Sequence, residues 1–326
     1  VSQPQEDASL TLLTPVPDDK LVAWLQEFYG KPVDIASRTV LRHRDLSYVE
    51  RVCLVDALPA SIIYKLVLPP WEIEQDLHER VLIPSITNNP QLFMSAHHGP
   101  MTALFLEDLG TDCVLDNCNA ELAGRIGEEL AKMHRSYCYR TDELMQMNIL
   151  RTLFPIDYEE FGNELSQLLE QWKLISADEA GKISQLTQAL ARALAGEPIS
   201  IVHGDLYAEN LIRRNNRTFI IDWSWFTIIG VPLMDLATLT MKHHKNASFY
   251  DFKEVLIDAY CFESGRTADD VRKLLPYAET LSRLLFLHWL VERRSRGIMG
   301  TTVGHVDGLI PRVVHELNER LALIPA

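Results

Sequence analysis

The stretch from Ser200 to Trp225 constrains this chain more than any other: S-I-V-H-G-D-L-Y-A-E-N-L-I-R-R-N-N-R-T-F-I-I-D-W-S-W. Ile199 to Val202 is a short, mostly apolar run. His203-Gly204-Asp205 follows, and Asn210 stands five residues beyond the aspartate. Leu211-Ile212 and Phe219-Ile220-Ile221 are two further apolar runs, and Arg214-Asn215-Asn216-Arg217 between them is a turn signal. The segment reads as a loop followed by a hairpin. That arrangement brings Asp205, Asn210 and Asp222 to one end.

Phosphoryl transfer needs such a trio. One carboxylate accepts the hydroxyl proton of the acceptor, while an amide oxygen and a second carboxylate hold magnesium on nucleotide phosphates. In protein kinases the base and the amide share one loop, five residues apart, and the metal-binding aspartate follows on a separate motif. The order and loop spacing here match. H-G-D-L-Y-A-E-N followed by I-I-D-W resembles the aminoglycoside phosphotransferase and choline kinase family, the small-molecule branch of the protein-kinase-like fold. The resemblance implies an α+β chain of two lobes. The small lobe (1–108) contains a sheet and binds nucleotide, and the larger, mostly helical lobe (109–326) carries catalysis and the acceptor site. It implies ATP and magnesium as cofactors, Asp205 as the catalytic base, and Asn210 and Asp222 as metal ligands. A hydroxyl of a small molecule is the expected acceptor.

Three upstream stretches fit that scheme. Ser61 to Val67, S-I-I-Y-K-L-V, is a buried-strand pattern with one lysine, and Lys65 resembles the lysine that contacts the α and β phosphates. Trp71 to Ile86 has helical apolar spacing at Ile73, Leu77 and Val81. The fold requires a glutamate there to fix the Lys65 ammonium. Glu79 is the choice, because H-E-R-V-L resembles the family pattern, with Glu72 and Glu74 left open. Leu104 to Gly110 resembles the hinge between lobes, where the carbonyl of Leu106 and the amide of Asp108 would meet adenine.

Thr39 to Asp56 reads as two strands around a turn at Asp45-Leu46-Ser47. In the kinase-like fold this turn covers the phosphates. Here it contains no glycine, so the backbone amides of Ser47 and Tyr48 are left as the candidate nucleotide contacts. The missing glycine also supports the alternative of a non-catalytic nucleotide-binding module. Arg42-His43-Arg44-Asp45-Leu46 mimics a kinase catalytic loop, but Glu50 stands where asparagine is needed and the order is wrong. It is a turn.

Downstream of the loop, G-V-P-L-M-D-L-A resembles the family's G-x-P-x-x-D-L-A. Asp235 is expected to cap that helix and brace the loop, and His203 to orient the loop. Asn119 to Tyr137, Tyr158 to Leu174 and Asp178 to Leu194 have helical periodicity. His134 is expected to be a packed core histidine. From Ser248 to Leu323 the chain reads as helical, with breaks near Gly265, Pro276, Gly297 to Gly300 and Pro311. Tyr158, Glu159, Trp225, Asp251, Trp289 and Glu292 are available to line the acceptor site.

Composition narrows the partners. The formal charge of -14 argues against nonspecific nucleic-acid binding, which rests on phosphate neutralisation by Lys and Arg. It marks a solvated acidic surface and would also suit a cationic substrate. Five scattered cysteines suggest reduced thiols. The pairs His97-His98 and His243-His244 do not suit one metal, because adjacent side chains diverge. The Leu281 to Val291 segment is too short and polar to span a bilayer, and V-S-Q-P-Q-E-D is unlike a signal peptide. No membrane partner and a cytoplasmic location are expected.

Overall fold

The first third of the chain folds into one antiparallel sheet, which begins with the partly alternating β-branched residues of Thr39 to Asp56. The structure is a computed structural model that describes residues 13–296 and 303–321. Helix α1 (Asp18–Tyr29) precedes β1 (Ile35–His43), β2 (Ser47–Leu54) and β3 (Ser61–Val67), and β4 (Leu92–His98) and β5 (Met101–Glu107) follow. The strand order is β1-β2-β3-β5-β4. Tyr48, Glu50, Val52 and Leu54 of β2 are buried on one face. The intervening residues, Val49 among them, face the other way. A shift in pairing between Val40 and Arg42 puts a bulge in β1, so that Arg42 stands opposite Val49.

Helix α2 (Ile73–Asp76) lies between β3 and β4 and runs into a single π-helical turn, Leu77–Val81. The helix expected to reach Ile86 is therefore shorter. Glu74, Leu77 and Val81 share its buried face, while Glu79 is exposed.

The larger part is mostly helical. It comprises α3 (Ala120–Cys138), α4 (Thr141–Met147), α5 (Tyr158–Gln171) and α6 (Ala177–Leu194), then α7 (Leu233–Thr240), α8 (Lys253–Ser264), α9 (Ala268–Arg296) and α10 (Val303–Leu321). Short strands β6 (Arg151–Thr152), β7 (Ser200–Val202) and β10 (Ile228–Gly230) form a three-stranded sheet in the order β6-β10-β7, and β8 (Leu211–Arg214) pairs with β9 (Arg217–Ile220) as a hairpin. Gly265 ends α8 in a left-handed conformation, as the sequence suggests. Pro276 and Pro311 do not break α9 and α10. Both prolines lie on exposed sides, where water can satisfy the carbonyl left without its amide partner, and the buried face of α9 packs on α7 and α10. The expected break at Gly297 to Gly300 lies outside the described residues. No described helix is long and apolar enough to cross a membrane.

Helix α3 packs closely on α8, and Gly127 makes this possible. A Cβ there would lie 2.5 Å from the Leu256 carbonyl oxygen. The close approach brings Tyr260 against His134, whose Nδ1 is 3.1 Å from the Tyr260 hydroxyl. We predict that Gly127→Val destabilises the protein by about 1–3 kcal/mol, measured by urea denaturation. An unchanged midpoint would show that the two helices can separate without cost.

Candidate active site

The loop after β7 is held from behind by one carboxylate. Asp235 accepts hydrogen bonds from the backbone amides of His203 and Gly204, both at 2.9 Å. His134 Nε2 lies 3.3 Å from the same carboxylate. Asp235 is fully buried in the first turn of α7, but the cap position belongs to Pro232, which makes no side-chain cap. The expected helix cap is not made, whereas the expected bracing of the loop is: the carboxylate turns toward the free amides of the loop because these are the unsatisfied donors within reach. His134 is 3% exposed and hydrogen-bonded on both ring nitrogens, as a packed core histidine should be.

Gly204 has φ +78°, and a Cβ there would collide with the Phe226 carbonyl oxygen at 2.2 Å. Only glycine fits. The His203 ring tilts against Trp223, its Nε2 lies 3.0 Å from the Ile221 carbonyl, and its Nδ1 accepts from the Asp205 amide. Burial lowers its pKa, which keeps the ring neutral. His203 thus ties the loop to the residue before Asp222. Asn246 braces the far side of the loop: its Oδ1 accepts from the Ala208 amide, and its Nδ2 donates to the Thr238 carbonyl.

On this frame Asp205, Asn210 and Asp222 converge. Asn210 Nδ2 donates to the Asp205 carbonyl at 2.9 Å, and the Ile221 amide donates to the Asn210 carbonyl at 3.0 Å. Asp222 has φ +64°, a left-handed conformation costly for a non-glycine residue. Its Oδ1 accepts from Lys65 Nζ at 2.6 Å, and its Oδ2 accepts from Arg42 Nη1 at 2.6 Å. Burial opposes the charge on Asp222, but Lys65 and Arg42 outweigh it and hold the carboxyl well below the usual range. Burial likewise opposes the charged form of Lys65, and Asp222 and Glu74 overcome it.

Lys65 is clamped on its other side by Glu74, at 2.5 Å. The expected partner Glu79 does not reach it and instead accepts from Gln75 and Ser95. The reason is helical phase. Glu74 shares the buried face of Leu77 and Val81, whereas Glu79 is exposed. Burial drives the Glu74 pKa up to about 7 against the pull of Lys65. Burial also pushes Asp205 up to about 7, with Lys245 and Arg42 pulling down and Asp222 and Glu209 pushing up.

Two cavities meet at this cluster. One, of about 230 Å³, is an apolar slot whose walls include Val49, Ile63, Leu106, Ile212 and Ile221, with Asp108 and Gly110 at its rim. The Asp108 side chain is taken by Arg51 and by the Gly110 amide. The other cavity, of about 350 Å³, contains Asp205, Ser47, Trp71, Phe226, Lys245 and Arg293. Arg42, Lys65, Glu74 and Asp222 line both.

Sequence reasoning missed Arg42, Trp71, Phe226, Lys245 and Arg293. Of the proposed acceptor residues, none lines the Asp205 cavity. Trp225 and Trp289 support its wall from behind, with ring centroids 4.9 Å apart, and Trp289 lies 5.0 Å from Trp71.

The residues fit a divalent cation. Asn210 Oδ1 is buried and has no hydrogen-bond partner, and Asp222 adds carboxylate oxygens. No cluster of three or more His, Cys, Asp or Glu suits a metal among the described residues. One amide and one carboxylate, completed by phosphate oxygens and water, is a set suited to magnesium.

The architecture is protein-kinase-like, a small sheet-bearing lobe against a larger helical one. The sequence profile of the phosphotransferase enzyme family matches residues 101–275, more than half of the 326 residues, and the chain belongs to that family. Over 119 residues it is 26% identical to the protein LicA of Haemophilus influenzae; the match covers 36% of this chain and 43% of LicA, so the chain spans less than half of that curated relative's length. Among solved structures it is similar to spectinomycin phosphotransferase in complex with ADP and spectinomycin (TM-score 0.59, 12% identity, 94% of this chain and 100% of that one). It is similar too to an ethanolamine kinase of Plasmodium vivax (TM-score 0.61, 12% identity, 86% and 82%). A GDP and kanamycin complex of an aminoglycoside phosphotransferase gives TM-score 0.61 at 14% identity, covering 93% and 99%.

The raised Asp205 pKa has a consequence for stability. The folded value near 7 lies above the ordinary 3.8, so ionising Asp205 costs more in the folded protein. Its contribution is intact below pH 4 and is lost as pH rises toward 7. We predict that Asp205→Asn stabilises the protein by roughly 1–3 kcal/mol at pH 8 and by nothing at pH 4, in paired denaturation curves. Equal stability of the two proteins at pH 8 would refute it.

Proposed function

We propose that this protein is an ATP-dependent phosphotransferase that moves the γ-phosphate to a hydroxyl of a small molecule, in the manner of aminoglycoside or choline kinases. One observation carries the reading: an apolar slot and a cavity holding an isolated carboxylate share the same Lys65–Asp222 pair. Adenine would enter the slot and meet the main chain at Leu106 and Asp108. Lys65, fixed by Glu74, would neutralise charge on the α and β phosphates. Asn210 and Asp222 would hold a magnesium ion, which supplies further neutralisation on the phosphate oxygens. Ser47 sits in the turn above them.

Asp205 would take the proton from the acceptor hydroxyl as that oxygen attacks the γ-phosphorus. The bond to the β–γ bridging oxygen breaks, and ADP leaves with that electron pair. A carboxyl pKa near 7 suits this task, because a base is most effective near the working pH. On the acceptor side, Asp45 pairs with Arg293 and Glu209 with Lys245. Asp205 makes no ion pair among the described residues. A wall of Trp71 and Phe226, with Asp45 and Glu209 already paired, favours a compact acceptor over a large polycation.

Incubation with magnesium-ATP and a panel of amino sugars, choline-like amines, sugars and hydroxy amino acids tests the reading. Phosphorylation of none of them, together with no thermal shift on adding magnesium-ATP, would reject it. Asp205→Ala is expected to lower transfer by about 10²–10⁴-fold while nucleotide binding survives. Glu74→Gln should cost about tenfold or more in turnover, corresponding to the loss of one charge-assisted contact, and Glu79→Gln should cost nothing. A reversal of that order would restore Glu79 as the partner of Lys65.

A further inference from the structure

We propose that Arg42 is a phosphate-binding residue, a side-chain cation that takes the place of the backbone cradle missing from the glycine-free turn between β1 and β2. This rests on the nucleotide reading above and adds a residue to it.

Three observations carry the assignment. The first is the turn itself. Leu46 is 2% exposed, Asp45 is ion-paired with Arg293 of α9, and the Arg44 amide donates to the Ser47 carbonyl at 2.8 Å. A glycine-rich turn can lay its amides along a phosphate chain because its backbone is free to do so. This turn is anchored through its side chains and part of its backbone.

The second is the bulge in β1. Val40 pairs with Glu50, but Arg42 pairs with Val49. Without the extra residue, Arg42 would fall opposite Tyr48, on the buried face of the sheet. The bulge turns it to the cleft face, in keeping with how bulges re-aim side chains. Val49 pairs in turn with Lys65. Arg42, Val49 and Lys65 therefore form one cross-strand row, with an apolar residue at the centre and a cation at each end.

The third is where the two cations meet. Lys65 and Arg42 each hold one oxygen of Asp222, at 2.6 Å in both cases. Asp222 engages only Nη1 of Arg42, so the remaining guanidinium N–H groups can take an anion whether or not a cation sits on Asp222. Lys65 retains Glu74 as a second partner, whereas Arg42 makes no other ion pair among the described residues. Asp205 and Glu209 also lie within its electrostatic reach, but Glu209 is paired with Lys245, and in the nucleotide reading the phosphates would run beside Lys65, in the same cross-strand row as Arg42. Its planar fork suits two phosphate oxygens at once.

The competing role is purely structural, with Arg42 steadying Asp222 for the metal. Titration calorimetry with ADP and with adenosine, each in magnesium and in EDTA, separates the two. We expect Arg42→Ala to weaken ADP binding at least tenfold in both conditions and to leave adenosine binding unchanged. Arg42→Lys should fall between. A loss confined to magnesium would assign Arg42 to Asp222 and overturn the proposal. So would ADP affinity in EDTA within twofold of wild type, or a wild-type protein that gains nothing from phosphates in EDTA. Loss of adenosine binding along with ADP in both variants would mark Arg42 as structural and likewise overturn it. Wild-type protein that binds neither ADP nor adenosine would sink the nucleotide reading itself. A wild type that binds both, with an unchanged Arg42→Ala variant, would remove this inference alone.

Discussion

The carboxylate of Asp222 joins the two lobes electrostatically at the heart of the site. It belongs to the hairpin side of the large lobe, yet its two oxygens are bound by Lys65 and Arg42 from the small sheet. Charges buried this deeply are tolerable only when matched. Here two carboxylates, Glu74 and Asp222, face two cations. Removing Lys65 leaves Glu74 unpaired, and removing Asp222 leaves Arg42 unpaired; losing a buried partner in this way is costlier than losing a surface ion pair. The left-handed backbone at Asp222 is strain that this cluster holds in place.

A second carboxylate, Asp235, does for the loop what Lys65 and Arg42 do for Asp222. Two amides and a histidine converge on it, and none of these groups faces the cavities. The division of labour is physical. Asp235 is fully buried and its oxygens are saturated by donors, so it has no capacity left for chemistry. Asp205, the residue next after the second of those amides, is left without an ion-pair partner among the described residues and with a pKa near 7. A site built this way trades stability for reactivity at one carboxylate while the one behind it supplies rigidity.

Much of the architecture was legible in the chain because it follows from local patterning. The strand Ser61–Val67, helix α3 and the hairpin of β8 and β9 are periodic segments bounded by turn residues, and they fall where the pattern puts them. Prolines 276 and 311 misled, since local propensity cannot see that the helices carrying them bury their other faces. The convergence of Asp205, Asn210 and Asp222 was legible too, because a loop and an adjoining hairpin leave little freedom in how they come together. The glutamate that meets Lys65 was not. Several acidic residues lie on the segment, and only the true start and phase of a very short helix choose Glu74 among them.

What the sequence alone determined is the set of groups that local chain geometry must bring together: the loop, the hairpin, and a lysine on a buried strand. Each is fixed by contacts between neighbours in sequence, where spacing is itself a distance. What only tertiary structure decided is which distant cation answers which carboxylate. Arg42 looked like part of a misplaced motif until strand register set it opposite Val49 and beside Asp222. A single extra residue in one strand reverses the face of the side chains beyond it, and nothing in the spacing of the chain marks where that residue falls.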